Sequence, residues 1–401
     1  MGGGTAPNRG TARLAAGAAL AVLVGTSPAS AWDLRTKFDI QANGIYRQLS
    51  QQGFTQADSM LDGILFFGTQ VIASDDHFEF EIRHELRTVF GDTPNYPDGD
   101  LARLNIRSPE RYMDAERSVI DTNHVETISD IERLRASYTF SSGEIWIGRR
   151  PVSLGTLSFF KVWNKFTRPV SGLFGPTIVY GSDGFGGSYQ SGDSLSFKGV
   201  SLYGPEKEDD AHLLETTIFS PFAEMRILGG KWWDHAAIGF AFSKTVFDWM
   251  LRFESLYLNR EGSSETEVGI GLDGAISADF SLLLETYYQS NGAVDTSNYS
   301  VFDPSRFTSL RARYYSIALL NWQVSTLWKA GIGDLLNGVD GGQIAILKLN
   351  YSLSDDIEVL GEANLPFASD GAEFSKRTFV FRDGNYLGSG NQFTLGLKAT
   401  F

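Results

Sequence analysis

The chain has 401 residues, with 34 Lys plus Arg against 48 Asp plus Glu, 13% aromatics, 43 Gly and no Cys. The acidic balance excludes a nucleic-acid binder, whose affinity comes from basic residues on phosphates, and the missing Cys excludes disulfides, thiolate metal sites and a cysteine nucleophile. No apolar run in the body of the chain reaches the length of a spanning helix, so a water-soluble globule and a β-barrel both remain.

Residues 1–31 read as an export signal. Arg9 and Arg13 are its basic region, Leu14 to Val24 its apolar stretch, and Ala29-Ser30-Ala31 the small residues a signal peptidase accepts, with cleavage before Trp32. The remainder, 32–401, shows no repeat, linker or composition break and reads as one domain.

From Trp32 onward the dominant period is two. Phe78, Phe80, Ile82, Leu86 and Phe90 share one face of a segment whose other face is Glu79, Glu81, Arg83, Glu85 and Arg87. Trp249-Leu251-Phe253-Ser255-Tyr257 opposes Arg252 and Glu254, and Leu347-Leu349-Tyr351 opposes Lys348 and Asn350. Phe393-Leu395-Leu397-Ala399-Phe401 repeats the pattern at the end of the chain. Such alternation means strands with one apolar and one wet face. A sandwich alternates too. These segments, however, are long enough to cross hydrocarbon, carry both signs of charge on the polar face, and end in aromatics such as Trp249, Tyr257 and Phe367. Backbone in lipid must satisfy every N–H and C=O, so the strands must close. The expectation is an all-β, transmembrane, antiparallel up-and-down barrel.

Short turns at Ser74-Asp75-Asp76, Ser141-Ser142-Gly143, Ser277-Ala278-Asp279 and Ser354-Asp355-Asp356 read as periplasmic. Long connections are expected at 91–125, 152–192, 220–234, 291–310 and 368–388. Strands fall near 34–47, 60–73, 77–90, 126–140, 144–151, 193–204, 211–220, 235–244, 248–260, 265–277, 280–290, 311–322, 324–333, 341–353, 356–367 and 389–401. That makes about 16 strands, or 14 or 18 depending on the ambiguous stretch 220–244.

The closing segment Asn391 to Phe401, with its terminal aromatic, resembles the last strand of Gram-negative outer-membrane β-barrels. The resemblance implies recognition of that strand by the barrel-assembly machinery. Glu144 to Gly155 (EIWIGRRPVSLG) is similar to a strand end in porin-like barrels related to alginate-export channels, with Arg150 where Gln is usual and Leu154 where Trp is usual. These likenesses imply an outer-membrane location among lipids and lipopolysaccharide, and are compatible with a homotrimer.

Two groups of residues are singled out. Glu79, Glu81, Arg83, Glu85 and Arg87, facing Arg133 and Arg135 on the next strand, form a charged lumen wall or, more blandly, a set of cross-strand ion pairs. The stretch 145–182 holds Arg149, Arg150, Lys161, Lys165 and Arg168 and no acidic residue. Folded inward it makes a basic constriction favouring anions; folded outward it binds lipopolysaccharide phosphates. Alternation from Ile145 and Ile147 turns Arg150 inward and Arg149 outward. Of these, Arg150, Lys161, Lys165 and Arg168 are assigned to the constriction. Ser108-Pro109-Glu110 is a helix-start signal for a short helix carrying Arg111 and Arg117.

An enzyme needs a nucleophile and a base. The five His are His77, His84, His124, His212 and His235, and none lies in a recognised catalytic motif. Asp234-His235 is the best dyad, more simply read as a polar rim pair. Asp209-Asp210 and Asp355-Asp356 read as turn residues rather than calcium ligands. No cofactor or metal is expected. The function expected is a porin-like channel for passive diffusion of small hydrophilic, including anionic, solutes. The alternatives are a polysaccharide-export channel and a barrel-embedded enzyme.

Overall fold

The structure, a computed structural model, describes residues 32–48, 50–52, 59–92, 111–163, 180–260, 262–299, 310–375, 377, 379–380 and 386–401. Within them the two-residue period becomes β1 (Asp33–Gln48), β2 (Ser59–Ser74), β3 (Phe78–Gly91), β4 (Val125–Phe140), β5 (Gly143–Arg150) and β6 (Ser182–Ser191). Next come β7 (Leu195–Tyr203), β8 (Ala211–Phe219), β9 (Glu224–Trp232), β10 (His235–Val246), β11 (Trp249–Arg260) and β12 (Ser263–Ala275). The last are β13 (Phe280–Gln289), β14 (Tyr314–Gln323), β15 (Trp328–Asn337), β16 (Gln343–Ser352), β17 (Ile357–Phe367) and β18 (Gln392–Thr400). Each pairs antiparallel with its neighbour in sequence. β18 returns to β1, from Asp39 opposite Thr400 to Arg47 opposite Gln392, so the ring has no free edge. The barrel has 18 strands, two more than the expected sixteen.

The two extra strands lie inside connections that the sequence had marked as long. β6 reads SDGFGGSYQS and β9 reads EMRILGGKW, and paired glycines depress strand propensity in both. Packing explains one of them. A Cβ at Gly186 would sit 2.9 Å from the Trp146 indole on β5, so the strand must be bare there. Accordingly 220–234 is a four-residue turn followed by a strand, and 152–192 is long only as far as β6. The four predicted short turns stand at the end carrying the termini, and the predicted excursions after β3, β13 and β17 stand at the far end.

Orientation follows the predicted rule. Ile147, Ile238, Leu395 and Leu397 point outward, with Leu395 67% and Ile147 64% exposed, whereas Glu81, Glu85, Glu254 and Glu285 on alternate positions are turned inward and nearly covered. Aromatic pairs mark both rims of the outer face. Trp328–Tyr351 (4.4 Å) and Phe280–Trp322 (5.5 Å) lie at the terminus end, Tyr288–Tyr314 (5.2 Å) and Tyr46–Phe393 (6.3 Å) at the far end. Such girdles bound the apolar belt of a barrel in a bilayer.

Asp334 is an outward position that breaks the rule. Asp334 on β15 lies between Ala318 and Ala345, with Ile332 two residues away on the same face. A carboxylate there stands in the apolar belt without an ion pair among the described residues. Replacing it by Leu is expected to stabilise the barrel by about 1–2 kcal/mol, a cost below that of a cation at the same depth. Urea titration in detergent micelles checks this, and an unchanged or lowered midpoint contradicts it.

The inner face also departs from simple alternation in β4. The β3–β4 register shifts between Arg83 and His84, leaving Glu132 as an extra residue. The bulge brings consecutive Glu132 and Arg133 into one charged cluster, at 3.1 Å from each other. Beyond it, a short strand, Arg117–Asp121, pairs with β4 where a helix bearing Arg111 and Arg117 was expected. Ser108-Pro109-Glu110, the proposed start of that helix, lies outside the described residues.

Candidate functional site: an inward segment and a row of cations

Not all of the inner face is wet. From β7 to β16 its far half is lined by Leu202, Leu213, Leu228, Leu256, Leu258, Ile317, Leu335 and Ile346, all buried. What buries part of this surface is the connection after β5, which enters the barrel. Leu154, Leu157, Phe160, Val162 and Trp163 join one apolar cluster with the wall, Trp163 being 0% exposed. The wall is recessed to take them. A Cβ at Gly239 would lie 2.8 Å from the Trp163 indole, and one at Gly269 only 2.3 Å from Leu157 Cδ1. Phe160 stacks on Tyr287 at 5.2 Å.

A segment without secondary structure has backbone donors to satisfy, and two inward carboxylates supply the acceptors. Glu254 on β11 accepts from the amides of Thr156, Leu157 (2.6 Å) and Trp163 (3.3 Å). Glu285 on β13 accepts from those of Ser158 (2.8 Å), Phe159 (3.0 Å) and Phe160 (2.8 Å). Trp163 Nε1 donates to the Ser255 carbonyl at 2.8 Å. The segment's acceptors meet cations in turn: Lys198 Nζ donates to Ser153 O (2.6 Å), Arg226 to Gly155 O (3.3 Å) and Arg252 to Ser158 Oγ (3.4 Å). Six amides on two carboxylates, three cations on the other edge, and an apolar underside fix this segment on the inner wall.

Lys198, Arg226 and Arg252 continue a row of lumen cations that begins with Arg83, Arg133, Arg135 and Arg150. The arginines are largely compensated. Arg83 meets Asp39 (2.8 Å) and Glu85 (2.9 Å), and Arg133 meets Glu81 (3.2 Å). Arg135 meets Glu79, Glu81 (3.1 Å) and Glu144 (3.5 Å). Arg226 meets Glu224 (2.5 Å) and Glu215 (3.4 Å), and Arg252 meets Asp273. The lysines differ. Lys161, exposed on the inward segment, and Lys198, bonded to a carbonyl, form no ion pair among the described residues, although Glu215 acts on Lys198 at longer range.

Of the residues assigned to the constriction, Arg150 shares a face with Glu144 (3.2 Å) and Trp146, over whose ring its guanidinium sits at 5.1 Å. Lys161 is on the inward segment. Lys165 and Arg168 lie outside the described residues. The wall residues Glu79, Glu81, Arg83, Glu85, Arg133 and Arg135 are brought together as ion pairs across β3 and β4. Arg87 instead belongs to a second cluster at the far end. It meets Asp130 (3.2 Å) and Glu116 (3.1 Å), while Arg111 meets Asp130 (3.0 Å). Both guanidiniums stand over the Tyr180 ring at 5.1 Å. Arg149, 1% exposed, is sealed beside Asp183 (2.6 Å) and the Ile131 carbonyl (2.6 Å). Burial lowers the Arg111 guanidinium from its ordinary value and raises the Tyr180 hydroxyl.

A third polar cluster lies under the connection after β17. Glu373 accepts from Asn337 Nδ2 (2.8 Å), the Arg311 amide (2.8 Å) and the Tyr315 hydroxyl, and burial raises its carboxyl above the usual range. Among the described residues no His, Cys, Asp and Glu group is placed to hold a metal. Asp234 pairs with Lys231 at 3.9 Å in the turn before β10. The shortest Ser–His contact is Ser201 Oγ to His212 Nδ1, 2.6 Å. It is a cross-strand bond with no carboxylate on His212 among the described residues, and the ladder consumes the surrounding amides.

No family profile and no characterised protein matches the sequence. The fold matches many solved structures. A BenF-like porin from Pseudomonas fluorescens Pf-5 aligns with TM-score 0.60 and 8% identity over 92% of this chain and 98% of that one. OccK9 (OpdG) of Pseudomonas aeruginosa aligns with TM-score 0.58 and 9% identity over 92% and 98%. OccAB4 of Acinetobacter baumannii aligns with TM-score 0.56 and 8% identity over 92% and 98%. The protein therefore has the fold of porin-type barrels. The similarity of 144–155 to alginate-export-type barrels gains no support from these neighbours.

Proposed function

We propose that the protein is an outer-membrane channel through which small hydrophilic solutes diffuse passively, with anions preferred. The observation that carries this reading is the inward segment 152–163, held across a charged inner wall. It narrows the bore without closing the ring, and it carries Lys161 while Lys198 holds its Ser153 carbonyl, two cations that form no ion pair among the described residues. In a confined low-dielectric passage charges outside contact ion pairs bias the local field more than matched pairs do. The narrowing also favours small solutes over a polymer, which sets polysaccharide export second. The porin-type neighbours support a channel and an outer-membrane location.

Reversal potentials across a salt gradient test the preference. The wild-type channel is expected to be anion-selective, and replacing Lys161 and Lys198 together by Glu should carry the reversal potential through zero. Wild-type cation preference, or a reversal potential indifferent to both charges, overturns the proposal.

A further inference from the structure

Some glycines of this barrel are packed against side chains and others face open space. On the inner face Gly239 and Gly269 are filled by Trp163 and Leu157, as described above. On the outer face Gly44 and Gly361 are not filled by anything in the chain. A Cβ at Gly361 would meet nothing nearer than the Leu349 carbonyl at 3.7 Å, and one at Gly44 nothing nearer than the Leu395 carbonyl at 3.9 Å. Both glycines have ordinary strand backbone, so neither turn geometry nor packing requires them.

The two belong to one row. Leu349, Gly361, Leu395 and Gly44 stand directly opposite one another across β16, β17, β18 and β1. Beside it runs the row Ala363, Phe393, Tyr46 and Leu61. Missing side chains in the first row open a groove of about 520 Å³ along the second, with Tyr46 and Phe393 at its far-end side. The inner-face residues that also border it, Lys348 and Glu362, are turned by alternation toward the lumen and meet each other at 3.7 Å. The groove follows the hydrogen-bonding direction, so strand tilt makes it oblique to the membrane. Its four strands, about 4.8 Å apart, give it the reach of a hydrocarbon chain rather than of a helix or a sheet.

We infer that this groove seats one saturated acyl chain of a membrane lipid. Its walls are apolar, it is one side chain wide, and it opens inside the belt bounded by the two aromatic girdles, where acyl chains are the solvent. A second copy of the barrel fits less well. A stable protein interface buries on the order of 1,000 Å² or more and is registered by polar contacts, and neither row offers a charged side chain on the outer face. The inference rests on the reading that the barrel spans a membrane.

The test uses the full-length protein in detergent, delipidated and titrated with a saturated phosphatidylethanolamine, with bound lipid counted by native mass spectrometry. The wild type is expected to retain one lipid. Gly44→Leu combined with Gly361→Leu, which the open space accommodates, should weaken retention about tenfold or more. Gly229→Leu, at another open outer-face glycine, should leave it unchanged. Equal retention by all three overturns the inference, as does a wild type that retains none or a dimer that the double substitution abolishes. Conductance separates this from the broader reading: a protein that conducts but retains no lipid loses only the groove, whereas one that enters no bilayer loses the membrane-spanning barrel itself.

Discussion

Replacing Glu254 and Glu285 together by Ala frees the inward segment and raises single-channel conductance severalfold. The double substitution removes the acceptors of six amides, each of which costs about 1–3 kcal/mol if left buried and unpaired. The segment relieves that cost by moving into water, opposed by the apolar contacts of Leu154, Leu157, Phe160, Val162 and Trp163. The ring of strands is untouched, because no ladder bond depends on either carboxylate. Single substitutions should give intermediate, noisier conductance, since each glutamate holds three of the six donors. Conductance equal to wild type in the double variant would show that the segment does not limit the passage.

Asp130→Ala is expected to be the most destabilising single substitution in the barrel wall. It removes the one ion-pair partner that buried Arg111 has among the described residues and one of the partners of Arg87, and it leaves Arg149 with less compensation. Stranding a buried guanidinium costs about 3–5 kcal/mol, far more than breaking an exposed pair. The cluster ties the chain entering Arg117–Asp121 and Tyr180, two residues before β6, to β3 and β4, so the loss should also expose 111–116 to protease. Urea midpoint and limited proteolysis report the two effects. A midpoint like wild type, with 111–116 still protected, would show that the cluster contributes no net stability.

The barrel class was legible because alternation is a local property: Phe393 to Phe401 or Phe78 to Phe90 declares its two faces without reference to any neighbour. β6 and β9 were hidden for the opposite reason. Gly186 is dictated by Trp146 on an adjacent strand, and nothing within SDGFGGSYQS reveals that neighbour. The wall of ion pairs between β3 and β4 could be read, as could the inward setting of Arg150, because both follow from alternation and simple pairing. Lys198, Arg226 and Glu285 could not. Each is one charged residue on an ordinary polar face, and its meaning comes from a segment 40 or more residues away in sequence folding against it. The absence of acidic residues in 145–182 did point to the right connection, although the acids that hold it are on other strands. Arg87 and Arg149 could be given a face but not their burial, for lack of depth information. Alternation gives a face, not a height, and at the far end the faces are sealed by 111–116 and Tyr180.

The proposed channel requires that apolar rows meet acyl chains while the charged face surrounds water that connects the two ends. Single-channel recording of the purified protein in planar bilayers tests it most directly. Discrete, long-lived conductance steps carried mainly by anions are expected, enlarged in the Glu254→Ala/Glu285→Ala variant. Insertion without any conductance, in wild type and variant alike, would contradict it.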